Sequence, residues 1–218
     1  FRSWDGPATD KLQALEKRIP DGQQPAWYQQ GDLRAALGLA WGEARVWDTA
    51  TTHLKAALEQ EKSDFTLRVL EQYANFRVRQ AAEQWQRAPK EGLAREARRQ
   101  KLVSLIEGAI FDLDTVCRCF KTAERLSLLG SAYKRLAVIQ EEVGQRTNAL
   151  VNMANHYRLA YELKKKTYPF TNWVSGHLLA LQLDPIAAAI DDAPRPQDLE
   201  KLIAGLTASR DLAPNFWD

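Results

Sequence analysis

Leu126-Ser127-Leu128-Leu129-Gly130-Ser131-Ala132-Tyr133-Lys134-Arg135 decides the fold. Leu126, Leu129 and Tyr133 recur at the three- and four-residue spacing of one helical face, and nothing in the stretch breaks a helix except Gly130. A glycine inside a helix costs roughly 1 kcal/mol against alanine. Its presence among large residues is explained if a neighbouring helix approaches closely there, which is a packing role and not a catalytic one.

The Leu, Leu-Gly and Tyr spacing matches the first helix of a tetratricopeptide (TPR) unit. Working outward, Leu33, Leu37, Gly38 and Trp41, then Ala50, Leu54 and Ala57, fall in the same order. With Gly38 as repeat position eight, Ala50, Leu54 and Ala57 take positions twenty, twenty-four and twenty-seven, the packing positions of a second helix. Met153, Tyr157 and Ala160 carry that spacing again. The expected fold is an all-α, TPR-like α-solenoid of antiparallel helix pairs, roughly three and a half repeats preceded by a leading helix. Gly130 and Gly176 lie 46 residues apart, against about 34 in a standard unit. Helices are therefore extended or loops inserted, and HEAT-like repeats of about 40 to 47 residues stay open as the rival architecture.

Punctuation sets the boundaries. Asp5-Gly6-Pro7 starts the leading helix, over 5–19, and Asp21 to Pro25 is a polar loop. Repeat units are expected at about 31–62, 64–120, 122–166 and 168–214, all within one helical-repeat domain spanning 1–218. Arg87 to Gly92 supplies a turn inside the second unit. Thr122 is the N-cap of the third, with Arg125 in place of the capping-box glutamate, and Gly144 to Asn148 breaks it. Lys164-Lys165-Lys166 suits the negative end of a helix. Tyr168 to Trp173 starts a fourth first helix, and Asp191 to Pro196 leads to a last helix over 197–210.

Leu70 to Arg79, Ala123 through Gly130 to Arg135, and Tyr168-Pro169-Phe170-Thr171-Asn172 together resemble the TPR-containing central regulatory region of the apoptosis signal-regulating kinases and its bacterial relatives. The resemblance runs over about Leu67 to Trp217 and is carried by these three motifs. It implies a regulatory, protein-binding helical scaffold attached to a signalling or effector domain, kinase- or caspase-like, elsewhere in a parent chain.

Composition excludes several classes. The chain has 218 residues, 45% hydrophobic and 27% charged, which is ordinary for a globular protein with a sizeable core. A formal charge of +2 gives no general field for nucleic acid or an anionic membrane. No apolar run reaches the roughly 18 residues of a membrane span, and no secretory leader is visible. Phe1 at the start, and large aromatics in Asn215-Phe216-Trp217-Asp218, read as a module cut from a longer protein. Cys117 and Cys119 stand two apart on a helix, splayed away from a mutual disulfide, so the expected compartment is the reducing cytoplasm.

No catalytic residues, metal ligands or cofactors are assigned. Neither cysteine has companion ligands at zinc spacing or a protease signature around it, and His53, His156 and His177 are scattered. Asp112 and Asp114 splay to different helix faces. Arg95 to Lys101, with Arg98 and Arg99, lacks interleaved aromatics and reads as a solvated face before a nucleic-acid site. Trp41, Trp47, Tyr73, Trp85, Tyr133, Tyr157 and Trp173 read as packing between repeats. The remaining candidate is the concave face lined by first helices, which in solenoids holds a partner's peptide or helix. It would present Asn75, Arg79, Ser127, Ser131, Lys134, Asn172 and His177, with Lys134 offering a point charge to a carboxylate and Asn172 hydrogen bonds to backbone. A protein or peptide, or a flanking domain of the parent, is the expected partner. Its identity and the oligomeric state are not set by sequence.

Overall fold

Helices occupy the stretches between these punctuation points, and the computed structural model describes residues 7–17, 31–60 and 66–186, with single positions at 197, 200 and 204. In chain order they are α1 (Ala8–Lys17), α2 (Gly31–Glu43), α3 (Trp47–Leu58), α4 (Thr66–Gln86), α5 (Leu93–Cys119), α6 (Ala123–Ile139), α7 (Val143–Leu163) and α8 (Thr167–Leu183). There is no strand among the described residues. The last helix expected from the sequence, over 197–210, lies outside them.

Each helix from α2 to α8 packs on its neighbour in sequence, as antiparallel pairs joined by short turns must. Thr122 caps α6 as expected: its hydroxyl accepts the Arg125 backbone N–H at 3.1 Å. Gly92, with φ 88, precedes α5 in a conformation that glycine adopts without steric cost. The break expected at Gly144 to Asn148 falls instead at Gln140 to Glu142. Gln140 and Glu142 are extended there, and the Arg146 guanidinium donates back to the Gln140 carbonyl at 2.7 and 2.9 Å, which frees Gly144 to enter the first turn of α7. The side chain of Arg146, which sequence reading passed over, thus decides where the helix begins.

The close approach inferred at the repeat glycines is present twice. A Cβ on Gly38 would come within 2.6 Å of Leu54 Cδ2, and one on Gly130 within 2.7 Å of Tyr157 Cδ2. The partners are 16 residues apart in the first pair and 27 in the second. The extra eleven residues are close to three helical turns, so lengthened helices keep the same faces together. Helix extension accounts for the long repeat interval.

Two apolar cores result, and α4 is the wall between them. Val69 and Phe76 close a core with Ala35, Trp41, Ala50 and Leu54 from α2 and α3. Ala74, Val78 and Ala81 belong to the larger core that runs through Leu102, Ile106, Leu126, Leu129, Met153 and Tyr157 to Phe170 and Trp173. Of the aromatics expected to pack, Trp41, Tyr157 and Trp173 are buried and Trp47, Tyr73, Trp85 and Tyr133 are partly buried against these cores. Burial of this apolar surface, at about 25 cal/mol per Å², is what holds the array together.

Contacts that skip a helix join α2 to α4 and α4 to α6. The first helices of successive pairs therefore crowd together on one side. On the other side α5 and α7 splay, leaving a cleft of about 390 Å³ that Gln100, Val103 and Glu107 share with Asn148 and Asn152. The crowded side is the inner, concave one. Among the described residues no helix is long and apolar enough to cross a membrane, and no three metal-ligating side chains cluster.

Candidate functional site

A trough runs along the inner side from the α2–α3 turn, past α4 and α6, to α8. Its first section, about 470 Å³, is walled by Arg45, Trp47, Arg79, Glu83, Gln86 and Arg135. Gln86 and Arg135 also wall the second section, about 280 Å³, together with Ser131, Lys134, Val138 and Tyr168. Lys134 and Val138 in turn border a third section, about 640 Å³, floored by Leu150 and Met153 and closed by Leu179 and Leu183. Adjacent sections share wall residues, and their chemistry changes from cationic to apolar along the way.

Local structure explains the cationic end. Helix α2 stops with Val46 N–H bonded to the Trp41 carbonyl and Arg45 N–H to that of Gly42, both at 3.0 Å, the pattern of a Schellman cap. Arg45 takes the left-handed position of that cap, φ 59, and is the one non-glycine residue with positive φ among those described. Arg79 lies over the Trp47 ring, 5.4 Å from its centroid, and its Nε donates to Asn75 Oδ1 at 3.4 Å. Arg135 donates to the Ser131 carbonyl at 3.0 Å and to the Ser131 hydroxyl. Burial, with the Arg79 charge adding to it, holds the Arg135 guanidinium below its usual value. Behind it the Tyr157 and Tyr168 hydroxyls are 3.1 Å apart, and burial first, then Tyr168, pushes Tyr157 well up.

The residues expected to bind a partner fall into three groups. Arg79, Ser131 and Lys134 line the trough. Asn75 and Asn172 stand behind them: Asn75 accepts from Arg79, and Asn172 Oδ1 accepts from Lys134 Nζ at 3.0 Å while its amide donates to the Tyr168 carbonyl at 2.9 Å. The charge of Lys134 and the amide of Asn172 are thus directed at each other and at the helix. Ser127, one turn before Ser131, donates to the Ala123 carbonyl at 2.7 Å, and His177 is 6% exposed with Nδ1 unpartnered. These two are not brought to the trough's lining.

Sequence reading missed Arg45, Trp47, Arg135 and Tyr168 as members of the trough. Arg135 carried a usable signal, since it stands four residues after Ser131 and so shares its face. Arg45 carried none, because its placement depends on a turn that a non-glycine residue rarely makes. The other candidates resolve into structure. Arg95 pairs with Glu141 and Arg99 with Glu96, Asp112 pairs with Arg77 and Asp114 with Arg118, and Cys117 is buried while Cys119 is exposed, both free.

The pattern of the Tetratricopeptide Repeats-Sensor family matches residues 46–179, more than half of the chain. The protein belongs to that family. The match runs from the residue before α3 into α8, spanning the trough except Arg45 at one end and Gln182 and Leu183 at the other, and selects the TPR over the HEAT architecture. The regulatory TPR region anticipated from the three motifs is thereby shown. Neither the curated proteins nor the solved structures compared with the chain gave a match. As a sensor-type repeat domain the chain falls in a class whose general work is regulation and protein interaction.

Proposed function

We propose that the chain is a non-catalytic regulatory scaffold, one helical-repeat domain over 1–218, which holds a partner protein or peptide along the concave trough. The observation that carries this reading is the row of adjoining sections over α4, α6 and α8, with an apolar stretch fit for a partner's side chain. Val138 and Leu179 at its rim are 65% and 49% exposed, an apolar surface that a partner would cover. Asn75 and Asn172 act by holding Arg79 and Lys134 in place.

A second reading, a sensing segment that controls the effector domain of a larger signalling or defence enzyme, is favoured by the sensor description of the family. The two readings share the trough and differ in whether its partner is a separate protein or part of the parent chain.

The test compares cross-linking and affinity capture by the parent domain, Leu179→Glu, and Phe111→Glu on the opposite side, where Phe111 is 72% exposed. A protein captured by the parent and by Phe111→Glu but lost with an equally helical Leu179→Glu places its binding in the trough. Loss with both variants alike, or with neither, removes the proposal.

A further inference from the structure

We infer that the α2–α3 end of the trough is a phosphoryl-binding site for a small phosphorylated molecule, formed by the guanidinium groups of Arg45, Arg79 and Arg135. This assignment concerns a ligand of different chemistry from the protein partner proposed above, and it stands or falls separately.

Charge counting carries it. All three arginines line the first section of the trough. Among the described residues no carboxylate is within ion-pair distance of any of them. Glu83, the one acidic residue in the first section, pairs with Arg87, just past the end of α4. Elsewhere arginines meet acids, as in Arg77 with Asp112 and Arg125 with Glu71. The concentration of unneutralised arginine is therefore local, in a chain whose overall charge is only +2.

The cleft's dimensions and donors narrow the ligand. One carboxylate would leave most of the positive charge uncompensated, whereas a phosphoryl group carries about −1.5 to −2 at neutral pH and three acceptor oxygens. Guanidinium forks match such oxygens in pairs. The first section, about 470 Å³, lies within the usual range of small-molecule sites, roughly 300 to 1,000 Å³. Trp47, with the Arg79 guanidinium over its ring, holds one of the arginines at the cleft, and Gln86 beside them offers an amide to the rest of the molecule.

The backbone at Arg45 points the same way. A glycine is the usual residue at a left-handed cap position, and a non-glycine residue there costs roughly 1 kcal/mol or more. Arginine at that strained position lines the cleft beside Arg79 and Arg135.

Arg45→Gly separates binding from folding, because it removes the guanidinium while relieving the backbone. Isothermal titration with inorganic pyrophosphate is run on the parent domain, Arg45→Gly, Arg135→Gln and, as a control, Arg118→Gln, whose arginine pairs with Asp114 away from the trough. The expected result is saturable one-to-one binding by the parent and Arg118→Gln, weakened at least tenfold in Arg45→Gly and in Arg135→Gln, with Arg45→Gly no less resistant to urea. Absent binding, or equal binding by all four proteins, overturns the assignment. So does binding of a phosphoserine peptide or a glutamate-rich peptide without binding of pyrophosphate, which would give the arginines to a protein partner and leave the scaffold reading intact.

Discussion

A Cβ placed on Gly130 would lie 2.7 Å from Cδ2 of Tyr157, whose ring is fully buried and whose hydroxyl is tied to Tyr168. The glycine that marks the repeat in the sequence is the socket for the aromatic of the second helix. Gly130→Ala gains roughly 1 kcal/mol in helix propensity and forces a ring with no room to retreat. Overpacking of this kind costs about 1 to 3 kcal/mol. The expected outcome is a net loss of stability, read as a lower urea midpoint with unchanged slope. A gain would show that Tyr157 can move.

Arg125 links three elements at once. Its Nε donates to Glu71 of α4 at 2.7 Å, another nitrogen donates to the Phe120 carbonyl at 2.6 Å, and its backbone N–H is the one that Thr122 caps. Both charged side chains are mostly enclosed, 14% and 16% exposed. Removing one partner leaves a desolvated charge, so Arg125→Gln and Glu71→Gln should each cost about 1 to 3 kcal/mol. The double variant should cost less than the two losses together, as measured in a thermodynamic cycle by urea unfolding. Strict additivity would mean that the pair contributes nothing beyond its members.

How much was legible in the sequence follows from what each feature depends on. Gly130 and Gly38 could be read because their role is set by local spacing, and the packing partner recurs at a fixed phase of the next helix. Thr122 could be read because capping chemistry is local. The start of α7 could not, since it rests on Arg146 reaching back to a carbonyl six residues earlier, a contact with no periodic signature. In the trough, Arg79, Ser131 and Lys134 were found because first-helix polar positions face inward. Arg45 was not, because a turn outside every helix supplies it. Asn172 and His177 illustrate the limit of face arithmetic: both are on α8, and both are buried, at 8% and 6% exposure.

Arg45 provides a prediction about stability apart from any ligand. Its left-handed conformation is one that a Cβ opposes, and its N–H is bonded within the cap. Arg45→Gly should raise stability by about 1 kcal/mol, the order of the left-handed penalty that a side chain carries. Arg45→Ala should give no such gain, since alanine keeps the Cβ. Thermal unfolding of the two variants separates loss of charge from relief of the backbone, and equal behaviour of the two would contradict the backbone account.

The three histidines set the response to acid. Burial is the leading cause that lowers each of them from the ordinary value of 6.5: His53 despite its bond to Glu16, His156 despite donation to the Asn152 carbonyl, and His177 with no opposing influence. A group with a depressed folded pKa takes up its proton more readily in the unfolded chain. Histidines of this kind let stability rise with pH wherever the unfolded state binds more protons. Their contribution is complete above about 6.5 and is lost progressively as pH falls below it. Urea midpoints should therefore be level from pH 8 to 7 and fall between about pH 6.5 and 5, above the range in which carboxylates begin to protonate. His53 should contribute through a visible structural consequence, because its Nε2 is 2.7 Å from Glu16 Oε1, and that same oxygen accepts the Trp41 indole N–H at 2.9 Å. Glu16 ties α1 to α2 and α3 by hydrogen bonds beside the packing of Leu12, so tryptophan fluorescence should change in Glu16→Ala, which removes the acceptor. A midpoint independent of pH across this window would show that the buried imidazoles accept protons without cost to the fold.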